Sequence, residues 1–280
     1  MIISFWSNSY EQSMVSYNLA AVSIASVMRF PYRRVTVLEN HLHKDNLGHA
    51  FLGAGRMPFL REVGTNYYEG GGIEGLLRRI YRGVDDPAVL RNYWKEIIPN
   101  HLFYLPQSGY IHNEVFDYEF NLNHPTLFRM LSICDLCYID TAPMNLNSKA
   151  ILEAADLIVV NLCQNQNFLE DFVQSYSSLI PKAVFLIGNY TNRSILSRRR
   201  ISELYDIPLE GIAPIPWNQG FQEARSRGRA VEFITGNYRC ANDNPNYSFI
   251  QSIRRAAGII MKRVDISEKL LGRENIPCGI

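Results

Sequence analysis

Between Ser7 and Ser13 the chain has neither glycine nor lysine. Around that stretch an apolar run, Ile2 to Trp6, leads into an Ala/Val/Ile/Leu-rich run from Val15, the layout of a strand, a phosphate-binding loop and a helix. Glycines let such a loop take φ > 0 and bring its N–H groups close to phosphate, and lysine supplies the counter-charge. Their absence excludes a phosphate loop of the ordinary kind. Cysteine is scarce too: five, odd in number and scattered, which does not suit a disulfide framework. Cys134 and Cys137 have CxxC spacing, but no second pair exists and the motif runs straight into the apolar LCYID, so buried free thiols are expected. No apolar stretch approaches the ~20 residues that span a bilayer. The opening MIISFWSNSY lacks the basic segment of a signal peptide, so a cytoplasmic protein without a transmembrane segment is expected.

What is present is ample for a core: 280 residues, 47% hydrophobic and 12% aromatic, read as one domain over 1–280. The net charge of +1 conceals an asymmetry. Residues 1–185 hold 14 Lys/Arg against 18 Asp/Glu, residues 186–263 hold 12 against 6, and residues 264–280 hold 2 against 3. The basic excess gathers at Arg198, Arg199 and Arg200, at Arg225, Arg227 and Arg229, and at Arg254, Arg255, Lys262 and Arg263. Two readings stay open, solvated helix faces or a surface for an acidic partner or nucleic acid. His41 and His43 could share one face of a strand, with His49 nearby, but no Cys or carboxylate cluster lies close in sequence and a metal centre is not expected there.

Short apolar runs recur at 2–6, 35–39, 101–106, 136–140, 157–162, 183–189 and 211–216. They are near-continuous rather than alternating, as strands covered on both faces are. Helical spacing fills 15–28, 73–82, 86–95, 125–132, 146–155, 166–179, 197–205 and 220–227, and a regular apolar stripe marks 249–264. The alternation predicts an α/β fold, a doubly wound, mostly parallel sheet with helices on both faces. Residues 53–72, with Gly, Pro and Tyr, read as a surface excursion. Ligands of such folds bind at the carboxyl ends of the strands, which makes 7–13, 39–46, 141–147, 188–193 and 214–221 among the segments to watch.

Two of these tips carry a resemblance. Asp140-Thr-Ala-Pro143 ends an apolar strand and precedes a helix ending in EAADLIVVN; later come LIGN and IAPIPWNQGFQEARSRGRAVEFI. With Asn18-Leu-Ala20 these resemble the ParA/MinD family of deviant P-loop ATPases over almost the whole chain. Counting back from Asn18, the resemblance puts Gln12 at the loop lysine, Glu11 at the glycine before it and Ser7 at the second lysine, which crosses to a partner subunit. Ser13 stands at the magnesium-binding hydroxyl, Asp140 at the Walker-B aspartate, Asn189 at the base-reading asparagine. Glu39-Asn40-His41 replaces an Asp-x-Asp pair, placing His41 where the family positions the attacking water. If nucleotide binding is retained, Ser9, Glu11, Gln12, Ser13, Met14, Asp140, Asn189 and Pro216 would provide it.

A negative charge and a lost lysine beside a polyphosphate remove transition-state stabilisation of about 3–4 kcal/mol, a few hundred-fold in rate. The site therefore reads as degenerate at Gln12, Glu39 and His41, with ATP or ADP and magnesium (on Ser13 and Asp140) held weakly if at all. Segments such as TNYYEGGGIEGLLRRI and VFLIGNYTNRS resemble the TadZ/CpaE proteins, which place and help assemble Tad-type pili at a cell pole, although the receiver-like domain many of those carry is not in this chain. The resemblance implies a non-catalytic homodimeric scaffold for a pilus or secretion machine, with Trp6, Ser7, Tyr10, Met14, Leu42 and Met144 as interface candidates at the strand tips. The alternative is a working ATPase that binds DNA nonspecifically through its basic C-terminal third. A nitrogenase-iron-protein type of metal or redox protein, suggested only by Cys134 and Cys137, is the weakest reading.

Overall fold

In the computed structural model, which describes residues 1–31, 33–41, 46–53, 71–107, 113–143 and 145–270, the apolar runs become the strands of an eight-stranded sheet. These are β1 (Ile2–Trp6), β2 (Val35–Glu39), β3 (Lys95–Ile98), β4 (Leu102–Tyr104), β5 (Leu136–Asp140), β6 (Leu157–Leu162), β7 (Ala183–Ile187) and β8 (Ile212–Pro214). The order is β3-β4-β2-β5-β1-β6-β7-β8, and every neighbouring pair is parallel except β3–β4. Strands β2, β5, β6 and β7 are buried at every residue, which is why their sequences run apolar without alternating.

Eleven α-helices accompany the described strands: α1 (Tyr10–Ser13), α2 (Val15–Arg29), α3 (Leu47–Phe51), α4 (Gly72–Tyr81), α5 (Asn113–Leu131), α6 (Leu146–Ala154), α7 (Gln166–Tyr176), α8 (Arg198–Tyr205), α9 (Gln219–Ser226), α10 (Ala230–Asn237) and α11 (Tyr247–Leu270). The period-two alternation of strand side chains divides them into two layers. Ile3, Phe5, Tyr138, Val159 and Leu186 point to the layer of α2, α9, α10 and α11. Ile139, Ile158, Val160 and Phe185 point to the other, where α4, α5 and α6 cover one half and α7 and α8 the other. Helix α2 is buried from Val15 through Val27, as a helix apolar all round must be, between the sheet and α11. The stripe Phe249, Ile250, Ile253, Ala256, Ala257, Ile260 and Val264 is buried against it. The doubly wound, mostly parallel expectation holds. No helix among the described residues is long and apolar enough to cross a membrane.

Two local expectations do not hold. The helix expected over 86–95 is a short 3-10 helix, Pro87–Asn92, started by the Asp86 carboxylate accepting from Ala88 N, and the chain then enters β3. This strand is at the sheet edge, with Lys95 and Glu96 exposed, so its sequence shows no apolar run; charge on an edge discourages pairing with another chain. Helix α5 starts twelve residues before Pro125 rather than at it (125 − 113) and passes through. Pro125 cannot donate to the Asn121 carbonyl four residues back, but His124 Nδ1 lies 2.8 Å from that oxygen and takes the role of the missing N–H. Helix α10 was not foreseen. The excursion expected at 53–72 lies, between 54 and 70, outside the described residues.

Candidate functional site

The carboxyl ends of β1, β2 and β5 converge on Asp140. It stands opposite Phe5 on β1 and Glu39 on β2, and it is fully buried. Both of its oxygens are taken. Tyr10 donates its hydroxyl to Oδ1 at 2.7 Å, and Ser16 donates its hydroxyl to Oδ2 at 2.6 Å. His41, two residues past Glu39 and therefore on the same side of the chain, brings Nε2 to 3.4 Å from Asp140 Oδ1 and 2.6 Å from the Tyr10 oxygen. Gln107 holds His41 in place by donating its amide to the His41 carbonyl.

Glu39, fully buried, accepts from Leu47 N on one oxygen and from the Tyr104 hydroxyl on the other, each at 2.7 Å. Burial pushes its carboxyl up to about 7, against the pull of the His41 charge. For Asp140 burial also raises the pKa, but the His41 charge and three hydrogen bonds outweigh it and hold the carboxyl below its ordinary value. Burial depresses His41, and the charge of Asp140, its hydrogen bond and Glu39 reverse the sign and raise it. Burial and the neighbouring Asp140 charge lift the Tyr10 phenol well above its ordinary value. These shifts favour an imidazolium–carboxylate pair with a neutral phenol donating into it.

The loop that feeds this cluster is folded on itself. Ser7 Oγ accepts from Ser9 N at 2.9 Å, Ser13 N donates to Ser9 O at 3.0 Å, and residues 10–13 close a single helical turn. Among the described residues of the loop, the left-handed conformation falls to Met14 (φ 60°), and it separates α1 from α2. That break sets which hydroxyl faces Asp140. Ser13 turns to the Tyr10 carbonyl at 3.2 Å, and Ser16, one turn on, reaches the carboxylate instead. Asn18 ties the loop to the sheet through Ser13 O and Asn161 Oδ1.

The remaining residues singled out by sequence are distributed differently than expected. Glu11 and Gln12 are exposed, and Ser9 is buried beside the Cys163 thiol. Asn189 is exposed at the end of β7 in a left-handed conformation, and Pro216 is half-buried after β8. Trp6 and Ser7 are fully buried and cannot meet a partner: Trp6 donates to Pro143 O and packs on Tyr176. Tyr10 and Met14 are half-buried at the rim. Leu42, His43 and Met144 lie outside the described residues.

The basic residues do not form one surface. Arg225 is 2% exposed, beside Tyr17, because α9 turns it inward. Arg199 and Arg200 are exposed, Arg199 paired with Glu203 at 2.8 Å, and Arg198 is half-buried, donating to Leu209 O. Arg227 and Arg229 are exposed near Glu223 and Glu232. A separate groove on α11 and β8 brings Arg29, which sequence did not connect, to Arg254, Arg255 and Lys262, with Glu210 as its carboxylate. Cys134 and Cys137 are buried free thiols at the opposite end of β5, pushed up in pKa by burial. Tyr10, Ser16 and Tyr104 are the partners of the acidic cluster that sequence missed; no motif marks them, since they join it only through the fold.

No family model and no curated protein matches the chain. Solved structures do. A ParA family ATPase from Chlorobium tepidum TLS aligns with TM-score 0.67 at 14% identity, over 91% of this chain and 98% of its own. The cell division ATPase MinD from Pyrococcus furiosus aligns with TM-score 0.65 at 16% identity, over 93% and 98%. The septum site-determining protein MinD from Pyrococcus horikoshii OT3, complexed with Mg-ADP, aligns with TM-score 0.64 at 15% identity, over 95% and 98%. The fold is that of the ParA/MinD P-loop ATPases.

Proposed function

We propose that this chain is a spatial organiser of the ParA/MinD kind whose nucleotide site is closed by its own side chains. In this reading it is a cytoplasmic homodimeric scaffold that serves the assembly or polar placement of a Tad-type pilus or secretion machine. One observation carries the closed site: the Tyr10 hydroxyl lies on Asp140 and His41, with Ser16 on the second carboxylate oxygen. A magnesium nucleotide does not fit these residues. Magnesium demands near-octahedral oxygen ligation with several waters, and Asp140 here is enclosed by a phenol, a hydroxyl and an imidazole. The aligned hydroxyl, Ser13, faces a backbone carbonyl, and no lysine stands in the loop. The pilus assignment rests on the segments quoted above.

Self-association would then use groups at the strand tips rather than a shared nucleotide, with Tyr10 and Met14 as the described candidates. Light scattering on the purified chain tests this: the dimer is expected without nucleotide and unchanged by ATP, and a monomer at tens of micromolar under both conditions would contradict it.

A second reading draws on the groove of Arg29, Arg254, Arg255 and Lys262. Arg198 lies near it: burial first, then the Arg255 charge, lowers its pKa. Nonspecific DNA binding there would weaken steeply with salt, since each phosphate neutralised releases counterions. Binding that is insensitive to Arg254→Ala with Arg255→Ala would dismiss it.

A further inference from the structure

We infer that His41, Asp140 and Glu39 form a buried binding site for a divalent transition-metal ion of the zinc class, which the Tyr10 hydroxyl stoppers. A metal was not expected here from sequence because no Cys or carboxylate cluster lies close to His41 in the chain. The fold supplies Asp140, and one ligand atom from each of the three residues lies within 4.8 Å of the others.

One ligand pair has the spacing that a small tetrahedral ion sets, and Glu39 lies within 4.8 Å of both. Zinc binds imidazole nitrogen and carboxylate oxygen at about 2.0–2.2 Å, so two such ligands of one ion stand roughly 3.3 Å apart. His41 Nε2 and Asp140 Oδ1 stand 3.4 Å apart. Between them lies the Tyr10 oxygen, 2.6 Å from the nitrogen, 2.7 Å from the carboxylate and 3.0 Å from Ser16 Oγ. A hydroxyl in contact with both atoms marks the position on which Nε2 and Oδ1 converge. The donor set, one imidazole and two carboxylates, suits zinc and its first-row neighbours rather than magnesium.

Glu39 already has the outer support of a metal-binding carboxylate. Each of its oxygens accepts one hydrogen bond, from Leu47 N and Tyr104, and each keeps a lone pair. Electrostatics point the same way. Two fully buried carboxylates face a single imidazole, an excess of negative groups that a divalent ion would balance. Access runs through Tyr10. It sits on a single-turn helix without a side-chain cap, ahead of the left-handed Met14, and it is half-buried at the rim of the cluster.

The inference does not depend on whether nucleotide binds, and its test leaves nucleotide out. The full chain, stripped with a chelator and dialysed, is titrated with zinc against a competing metal dye, and with cobalt(II) followed by absorption. One ion per chain is expected, with tetrahedral cobalt bands that lack thiolate charge transfer. His41→Asn should weaken binding a hundredfold or more, while Cys134→Ser with Cys137→Ser should leave it unchanged. Tyr10→Phe should tighten it about tenfold, the worth of a hydrogen bond to a charged group that the ion no longer displaces. Zinc should raise the melting temperature of the wild type and not of His41→Asn, which also reports whether that variant folds. Affinity that survives His41→Asn, or no uptake by the wild type at micromolar free zinc, would overturn the site.

Discussion

Gly188 packs so tightly on Ser13 that a Cβ on it would fall far inside contact with the Ser13 carbonyl oxygen, with Asn18 Nδ2 only 3.0 Å away. The end of β7 is thus a floor for the loop, and the loop is held in its closed turn by backbone packing as well as by its own hydrogen bonds. Gly188→Ala is expected to destabilise the protein by about 1–3 kcal/mol, the usual cost of overpacking a tight contact. Gly236 is the opposite case, exposed within α10 with open space where a Cβ would stand. Gly236→Ala should stabilise by about 0.5–1 kcal/mol through the helix propensity of alanine. Urea unfolding of the two variants, read beside the wild type, gives both signs.

Stability should fall as pH rises through the neutral range. The Glu39 carboxyl is raised from 4.5 to about 7, so the folded state holds its proton more tightly than the unfolded chain does. Its contribution is complete below the unfolded value and is lost as pH climbs towards 7, a difference of up to about 3 kcal/mol. His41, also raised, acts in the same direction at higher pH: its stabilising charge is complete below its ordinary value near 6.5 and is lost as pH passes the folded one. Asp140, lowered, contributes at neutral pH and loses its contribution only in acid. Glu39→Gln should flatten the slope between pH 5 and pH 7; chemical denaturation at stepped pH measures it, and a slope unchanged by the substitution would refute the assignment.

Glu11→Gly with Gln12→Lys changes the loop by two positive charges, which on charge alone favours a polyphosphate. Both residues are exposed, and neither substitution frees Asp140 from Tyr10. The double variant should therefore gain little affinity for Mg-ATP, and adding Tyr10→Phe should gain tenfold or more over it. Calorimetric titration of the double and triple variants compares them directly. Equal affinities would mean that the loop backbone, not the phenol, closes the site.

The inner sheet was legible because burial on both faces leaves an unbroken apolar signature, as in LIVVNL of β6 and VTVLE of β2. Strand β3 was not, because an edge strand carries Lys95 and Glu96 in place of an apolar run. Pro125 hid the first half of α5, since the compensation by His124 is a side-chain detail no propensity records. At the site, Asp140, Glu39 and His41 were legible as strand ends. Tyr10 was not: it meets Asp140 130 residues away along the chain, and nothing in the spacing distinguishes a phenol that turns inward from one that faces a partner. Trp6 and Ser7 misled for the same reason, lying at a strand tip yet fully buried.

If Tyr10, Ser16 and His41 occupy Asp140 as completely as proposed, the chain should neither hold nor hydrolyse ATP at a useful rate. Titration of the wild-type chain with Mg-ATP, followed in the same sample by phosphate release, tests it most directly. No binding heat up to millimolar nucleotide and phosphate release at the background rate are expected. Saturable binding below that range, with turnover abolished by Asp140→Ala, would contradict it.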